Sequence, residues 1–186
     1  MAKLHYRYAS MNAGKSTQLL QVAYNYTEGG HKVRLFTAKI DDRLGTGVIG
    51  SRLGVTREAE VYDESTVFDK LLKRGSDLAC VLIDEAQFLT PTQVHELHFL
   101  VHDRNLPIMC FGLRSDFMGI PFPGSMRLLS LAEDISELKA ICACGHKSTM
   151  QIRLDDDGVR VRSGDTVLIG GNNRYRQVCA ACFYST

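Results

Sequence analysis

The chain has 186 residues and balanced charge, 22 Lys and Arg against 21 Asp and Glu, for a formal net charge of +1. That length suits one domain with a small appendage and can bury a full core, while the charge balance leaves no basic excess for general nucleic-acid binding. No apolar run reaches the roughly 18 residues of a membrane span, and Met1 to Tyr8 hold no apolar signal core, so the chain reads as cytoplasmic, with no membrane and no nucleic-acid partner.

The first predicted element is a strand over Leu4–Tyr8, followed by A-S-M-N-A-G-K-S (Ala9 to Ser16) and a helix over Ser16–Glu28 that stops at Gly29-Gly30. A strand, a glycine-bearing loop and a helix N-terminus form a phosphate-binding P-loop. Gly14 lets the backbone approach phosphate oxygens, and loop N–H groups and the helix end attract the anion. Lys15 reaches the β- and γ-phosphates, and the Ser16 hydroxyl can ligate Mg²⁺. Alanine replaces the usual first glycine at Ala9, a substitution that would be costly if φ there were positive.

A second strand is expected over Lys32–Thr37, then a long polar loop from Ala38 to Arg57 and a helix over Glu64–Arg74 with Val67, Leu71 and Leu72 at helical spacing. The next strand, Ala79–Ile83, ends in Asp84-Glu85. After a P-loop, such a pair supplies an aspartate for Mg²⁺ and a glutamate able to accept a proton from a hydroxyl or water. The expected ATP site is therefore Ala9, Ser10, Met11, Asn12, Ala13, Gly14, Lys15 and Ser16 with Asp84, Glu85, Ala86 and Gln87, and Mg²⁺ enters with ATP on Ser16 and Asp84. Thr90 and Pro91 read as N-cap and first residue of a helix to Asp103, and Pro107–Phe111 as a fourth strand, after which Gly112, Gly119, Pro121, Pro123 and Gly124 mark an irregular segment. Strand–helix alternation of this kind predicts an α/β fold, a parallel sheet flanked by helices with its ligand at the carboxyl ends of the strands. Cys80 and Cys110 lie in apolar runs and read as buried free thiols.

Near the C-terminus, Cys142, Cys144, Cys179 and Cys182 supply four thiolates, enough to close a tetrahedral zinc site. Strand-like segments lie between the pairs at Thr149–Leu154, Val159–Arg162 and Thr166–Ile169, as in a zinc ribbon. His146 is an alternative ligand, and disulfides or free thiols are the bland reading, the former disfavoured in a reducing compartment. A fully thiolate-bound zinc is structural and would tether the glycine-bearing segment before Cys179. From these residues alone three classes stay open: a kinase in which Glu85 activates a substrate alcohol, an ATPase in which it activates water, and a nucleotide-binding regulator with a structural zinc.

M-N-A-G-K-S-T, I-D-E-A-Q-F, G-L-R-S-D-F and I-G-G-N-N-R-Y, in that order and followed by the last cysteine pair, resemble the type II thymidine kinases, compact zinc-containing enzymes, and their bacterial branch in particular. The resemblance runs from about Leu4 to Tyr184. It implies a P-loop α/β domain over residues 1–138 and a zinc-binding, ribbon-like subdomain over 139–186 that carries a substrate-covering lasso loop. It implies transfer of the γ-phosphoryl of ATP to the 5′-hydroxyl of thymidine, with Glu85 as catalytic base. Alanine at position 9 is accepted in that family. Met11, Phe88, Leu113, Phe117 and Tyr175 match the nucleoside pocket, and Val167, Leu168, Ile169, Gly170 and Gly171 match the lasso whose backbone reads thymine. Asp41 and Arg43 match an active-site D-x-R, and the four cysteines match the zinc ligands. The resemblance also implies a homotetramer and feedback inhibition by dTTP.

Overall fold

The computed structural model describes residues 1–167 and 174–185. Strand β1 (Leu4–Ala9) starts the central sheet, buries Leu4 and Tyr6 fully, and runs one residue further than expected. β2 (Lys32–Ala38), β5 (Glu60–Tyr62), β6 (Leu78–Ile83), β7 (Ile108–Leu113) and β8 (Asp134–Glu137) join it. Among the described residues these six strands make one parallel sheet in the order β5-β2-β6-β7-β1-β8. The four strands expected from the sequence are its centre; β5 and β8 are short, more polar edges.

Alternation along the strands separates two cores. Val81 and Ile83 of β6 pack with Phe36, Ile108 and Cys110 against Val94, Leu97 and Val101 of α3 (Pro91–Arg104) and Leu128 of α4 (Pro123–Leu131). Cys80 and Leu82 face the other way, onto Leu19, Leu20 and Ala23 of α1 (Lys15–Glu28). Both Cys80 and Cys110 are fully buried, and burial pushes the Cys80 thiol up to about 12.

Helix boundaries follow local chemistry. α1 stops where the Gly29 N–H bonds the Asn25 carbonyl and Gly30 turns left-handed (φ 78°). Thr90 caps α3 through Gln93 N (3.1 Å) while Gln93 Oε1 accepts from Thr90 N (2.9 Å), a reciprocal capping box with Pro91 in the first turn. The helix expected over Glu64–Arg74 is only a single turn, α2 (Phe68–Leu71). Asp63 Oδ1 takes the Ser65 N–H instead (3.0 Å), and Val67 is extended, so the chain turns before it can wind. Residues 38–57 are also more ordered than a polar loop: β3 (Val48–Gly50) pairs antiparallel with β4 (Thr56–Glu58), and Ile49 is buried beneath α1. The segment read as irregular contains α4, which opens on Pro123. Gly124 is required there, because a Cβ would come within 2.2 Å of the Leu89 carbonyl oxygen.

Beyond β8, β9 (Ala140–Ile141) and β10 (Lys147–Ser148) form a hairpin. β11 (Met150–Leu154) lies between β12 (Arg160–Val161) and β13 (Tyr175–Val178), and α5 (Ala180–Ser185) closes the chain. Ile152, Val178 and Phe183 give this part its own small core around Cys142 and Cys179. The strand expected over Thr166–Ile169 is not formed at Thr166 and Val167, and its second half lies outside the described residues.

Candidate active site

The loop read as phosphate-binding leaves β1 at its carboxyl end. Ala9 is the last strand residue, and the left-handed residues of the loop are Asn12 (φ 65°) and Gly14 (φ 81°). The missing first glycine therefore costs nothing, since Ala9 keeps a strand conformation; Asn and Gly stand where positive φ is needed. Gly14 is also the N-cap of α1, and no side chain caps the helix. Its first N–H groups stay free for an anion. Lys15 is 9% exposed and its Nζ donates to the Ser10 carbonyl (3.1 Å). Burial pulls Lys15 below the usual lysine value, while the nearby Glu85 and Asp84 charges oppose that.

At the end of β6, separated from β1 by β7 in the same parallel sheet, Asp84 and Glu85 diverge. Asp84 Oδ2 accepts from Ser16 Oγ (2.8 Å), and Oδ1 from the Glu85 N–H (3.0 Å). Burial first, then the Glu85 charge, push Asp84 up to about 7 despite the Ser16 hydrogen bond. Glu85 turns left-handed (φ 52°), an uncommon state for a residue with a side chain. Tyr62 at the end of β5 steadies the turn by donating its hydroxyl to the Glu85 carbonyl (2.8 Å). Glu85 Oε1 meets Arg43 Nη2 (2.5 Å), and Oε2 accepts from Gln87 Nε2 (2.5 Å). Asp41 grips the same guanidinium from Nε (2.6 Å) and Nη2 (2.8 Å), and its hydrogen bonds hold Arg43 above the usual arginine value.

These groups border one cleft of about 1200 Å³. Met11, Asn12, Ala13, Gly14, Lys15, Ser16, Asp84, Glu85 and Gln87 line one part, and Met11, Phe88, Leu113, Phe117, Val167 and Tyr175 lie along the same wall system. Ala9, Ser10 and Ala86 are buried behind that lining. Leu168, Ile169, Gly170 and Gly171 lie outside the described residues. An acidic, lysine-bearing rim thus opens into an apolar, aromatic slot, the shape and polarity for a phosphorylated donor beside a flat acceptor.

Other lining residues were not anticipated. The β3–β4 hairpin brings Ser51 and Arg52 over the loop, and Arg52 Nη2 bonds Asn12 Oδ1. Asp116 folds the turn beside the slot, its Oδ1 accepting from Met118 N (2.8 Å) and Ile120 N (2.9 Å). The S-D-F triplet after an apolar strand carried that turn signal. Gln151 joins from β11 by donating to the Ser115 carbonyl, and the Arg153 guanidinium stacks 4.0 Å over Phe117. No local motif marks either residue.

In the C-terminal part the Cys142, Cys144, Cys179 and Cys182 sulfurs all lie within 4.8 Å of one another, with Cys144 and Cys179 at 3.5 Å. Tetrahedral zinc with Zn–S of about 2.3 Å separates its sulfurs by about 3.8 Å, so this four-cysteine cluster is compatible with a zinc ion. Backbone N–H groups of Cys144 and Cys179 pull the Cys142 thiol below its usual value, and neighbouring thiols push Cys182 above it. His146 is outside this set; its Nδ1 meets the Cys144 sulfur at 3.4 Å.

A family model described as thymidine kinase matches residues 2–183. A thymidine kinase of Chromobacterium violaceum is 58% identical over 184 residues, 99% of each chain. One from Albidiferax ferrireducens is 55% identical over 99% of this chain and 93% of its own length. A third, from Yersinia pseudotuberculosis, is 47% identical over 96% and 93%.

Proposed function

Because this chain belongs to the thymidine kinase family, we propose that it transfers the γ-phosphoryl group of ATP to the 5′-hydroxyl of thymidine, giving dTMP and ADP for nucleotide salvage. The observation that carries this reading is the position of Glu85: a carboxylate held out of the strand by a left-handed turn, in the same cleft as the phosphate loop and the aromatic slot.

Lys15 and the free N–H groups at the start of α1 bind the triphosphate and orient its γ-phosphoryl. Ser16 and Asp84 offer two hard oxygens 2.8 Å apart, a donor set that fits Mg²⁺. When bound with ATP, Mg²⁺ neutralises charge on the β- and γ-phosphates. Glu85 takes the proton of the 5′-hydroxyl as its oxygen attacks phosphorus and the β–γ bridging bond breaks towards ADP. Arg43 already pairs with Glu85 and stands where it can exchange that partner for phosphate charge. Met11, Phe88, Leu113, Phe117 and Tyr175 enclose the thymine ring and its methyl group. Backbone N–H and C=O groups can satisfy thymine's acceptor–donor–acceptor edge, a role this reading gives to residues 167–171, of which 168–171 lie outside the described residues; cytosine would leave buried groups unpaired at about 1–3 kcal/mol each.

The four cysteines hold a structural zinc with no open position. Residues 1–138 act as the nucleotide-binding domain and 139–186 as the zinc-bearing cover. The active form is a cytoplasmic homotetramer inhibited by dTTP. Among the described residues, no helix is long and apolar enough to cross a membrane.

ADP release measured with ATP, Mg²⁺ and a panel of nucleosides tests the reaction. Thymidine-dependent ADP and dTMP formation is expected. ADP formed equally without nucleoside would make the chain an ATPase, and nucleotide binding without turnover would make it a regulator.

A further inference from the structure

A second cluster of metal-ligating side chains lies away from the cysteines. His98 and His102 are one turn apart on α3, with ring centroids 4.9 Å apart. Both Nε2 atoms converge on one oxygen of Glu133, Oε1, at 3.1 and 2.6 Å, and the three ligand atoms lie within 4.8 Å of one another. Glu133 follows α4 and is fixed by the start of β1: its Oε2 accepts from Leu4 N (2.7 Å), and its own N–H donates to the Leu4 carbonyl (3.1 Å).

We propose that His98, His102 and Glu133 form a second, solvent-accessible site for a zinc-class divalent cation, distinct from the four-cysteine cluster and from the Mg²⁺–ATP site. Two imidazoles and one carboxylate are a recognised zinc ligand set that leaves one position open. Ligand–ligand separations in such a site are about 3.3 Å at Zn–N and Zn–O near 2.0 Å; His98 to Glu133 at 3.1 Å is already close to that, His102 to Glu133 at 2.6 Å must open slightly, and the two ring nitrogens lie within 4.8 Å of each other. Metal-bound carboxylates keep their second oxygen hydrogen-bonded, as the Leu4 N–H does here. One carboxylate and two neutral imidazoles carry a single negative charge, and imidazole favours zinc-class ions over Mg²⁺. Leu4 and Ala9 are the two ends of β1, roughly 16 Å apart at about 3.3 Å per residue. The cation would therefore sit at the opposite edge of the sheet from the phosphate loop, and its ligands take no part in the transfer.

The test is calorimetric titration of Zn²⁺ into the full chain, with the cysteine-bound zinc first quantified and millimolar-range Mg²⁺ present. One further saturable equivalent is expected, and His98→Ala and His102→Ala should each weaken it by about tenfold or more. Cysteine-bound zinc and thermal midpoint should not change in those variants. Without any substitution, the Cε1–H NMR signals of His98 and His102 should shift together and saturate with the same equivalent. Equal zinc uptake by wild type and both variants, or histidine signals that do not move, overturns the proposal.

Discussion

Residue-scale chemistry at the site was unevenly legible. Gly14, Lys15 and Ser16 are contiguous, so their spacing alone suggests a phosphate-binding loop, and the Asp84-Glu85 pair is read from its place after an apolar strand. Asp116, Gln151 and Arg52 come to the cleft from separate elements, and only folding makes them neighbours. At the far edge, Asp134 ties β8 to β1: its carboxylate accepts from Arg7 at 3.0 and 2.7 Å and meets His5 Nδ1 at 2.7 Å. The Arg7 bonds first, then the His5 bond, hold Asp134 well below the usual carboxylate range. A lowered folded-state pKa gives stability that is fully present above the unfolded value near 4 and is lost as pH falls through the folded one. Asp134→Asn should therefore lower the urea midpoint at pH 7, by an amount that shrinks steadily as pH drops below about 4. A difference that stays constant down to strongly acid pH would contradict this ion-pair account.

Elements were read well where one signal dominated and poorly where two competed. β6 is an uninterrupted apolar run whose last four residues are buried, and α3 carries both its cap and its proline in sequence, so both were legible. β5 and β8 are three- and four-residue edges with charged side chains, and they exist because β2 and β1 offer them partners. α4 was hidden behind Pro123 and Gly124, residues that here start a helix and permit its close approach to Leu89. The opposite error befell α2, where helical spacing at Val67 lost to the Asp63 turn. Thr90→Ala removes the side-chain acceptor of the α3 capping box and should cost about 1 kcal/mol, a fall in thermal midpoint of about 2–4 °C. An unchanged midpoint would mean that packing of Val94, Leu97 and Val101 alone sets the start of α3.

At the scale of the whole molecule, one cleft is assembled from the sheet's carboxyl edge, a hairpin and the C-terminal strands. The pairs Gln151 to Ser115 and Arg153 over Phe117 attach the last of these to the first. The cysteine spacing disclosed the four-cysteine cluster, but how its strands reach the slot was beyond any local pattern. The small core there, built on Ile152, Val178 and Phe183, is too slight to hold alone, so zinc should act as a staple. About one tightly held zinc per chain is expected from four thiolates. Cys144→Ser should lose it and open residues 139–186 to limited proteolysis while 1–138 stays protected. A metal-free chain equally resistant throughout would remove zinc from its structural role.

The central claim is that Glu85 accepts the proton of the nucleoside hydroxyl, and Glu85→Gln tests it most directly. Glutamine keeps the shape and can still face Arg43, but it cannot take a proton. Measured together, calorimetric thymidine binding should be little changed, while kcat with ATP, Mg²⁺ and thymidine should fall by about 10²- to 10⁴-fold. Turnover near that of the wild type, with thymidine bound as before, would contradict the account.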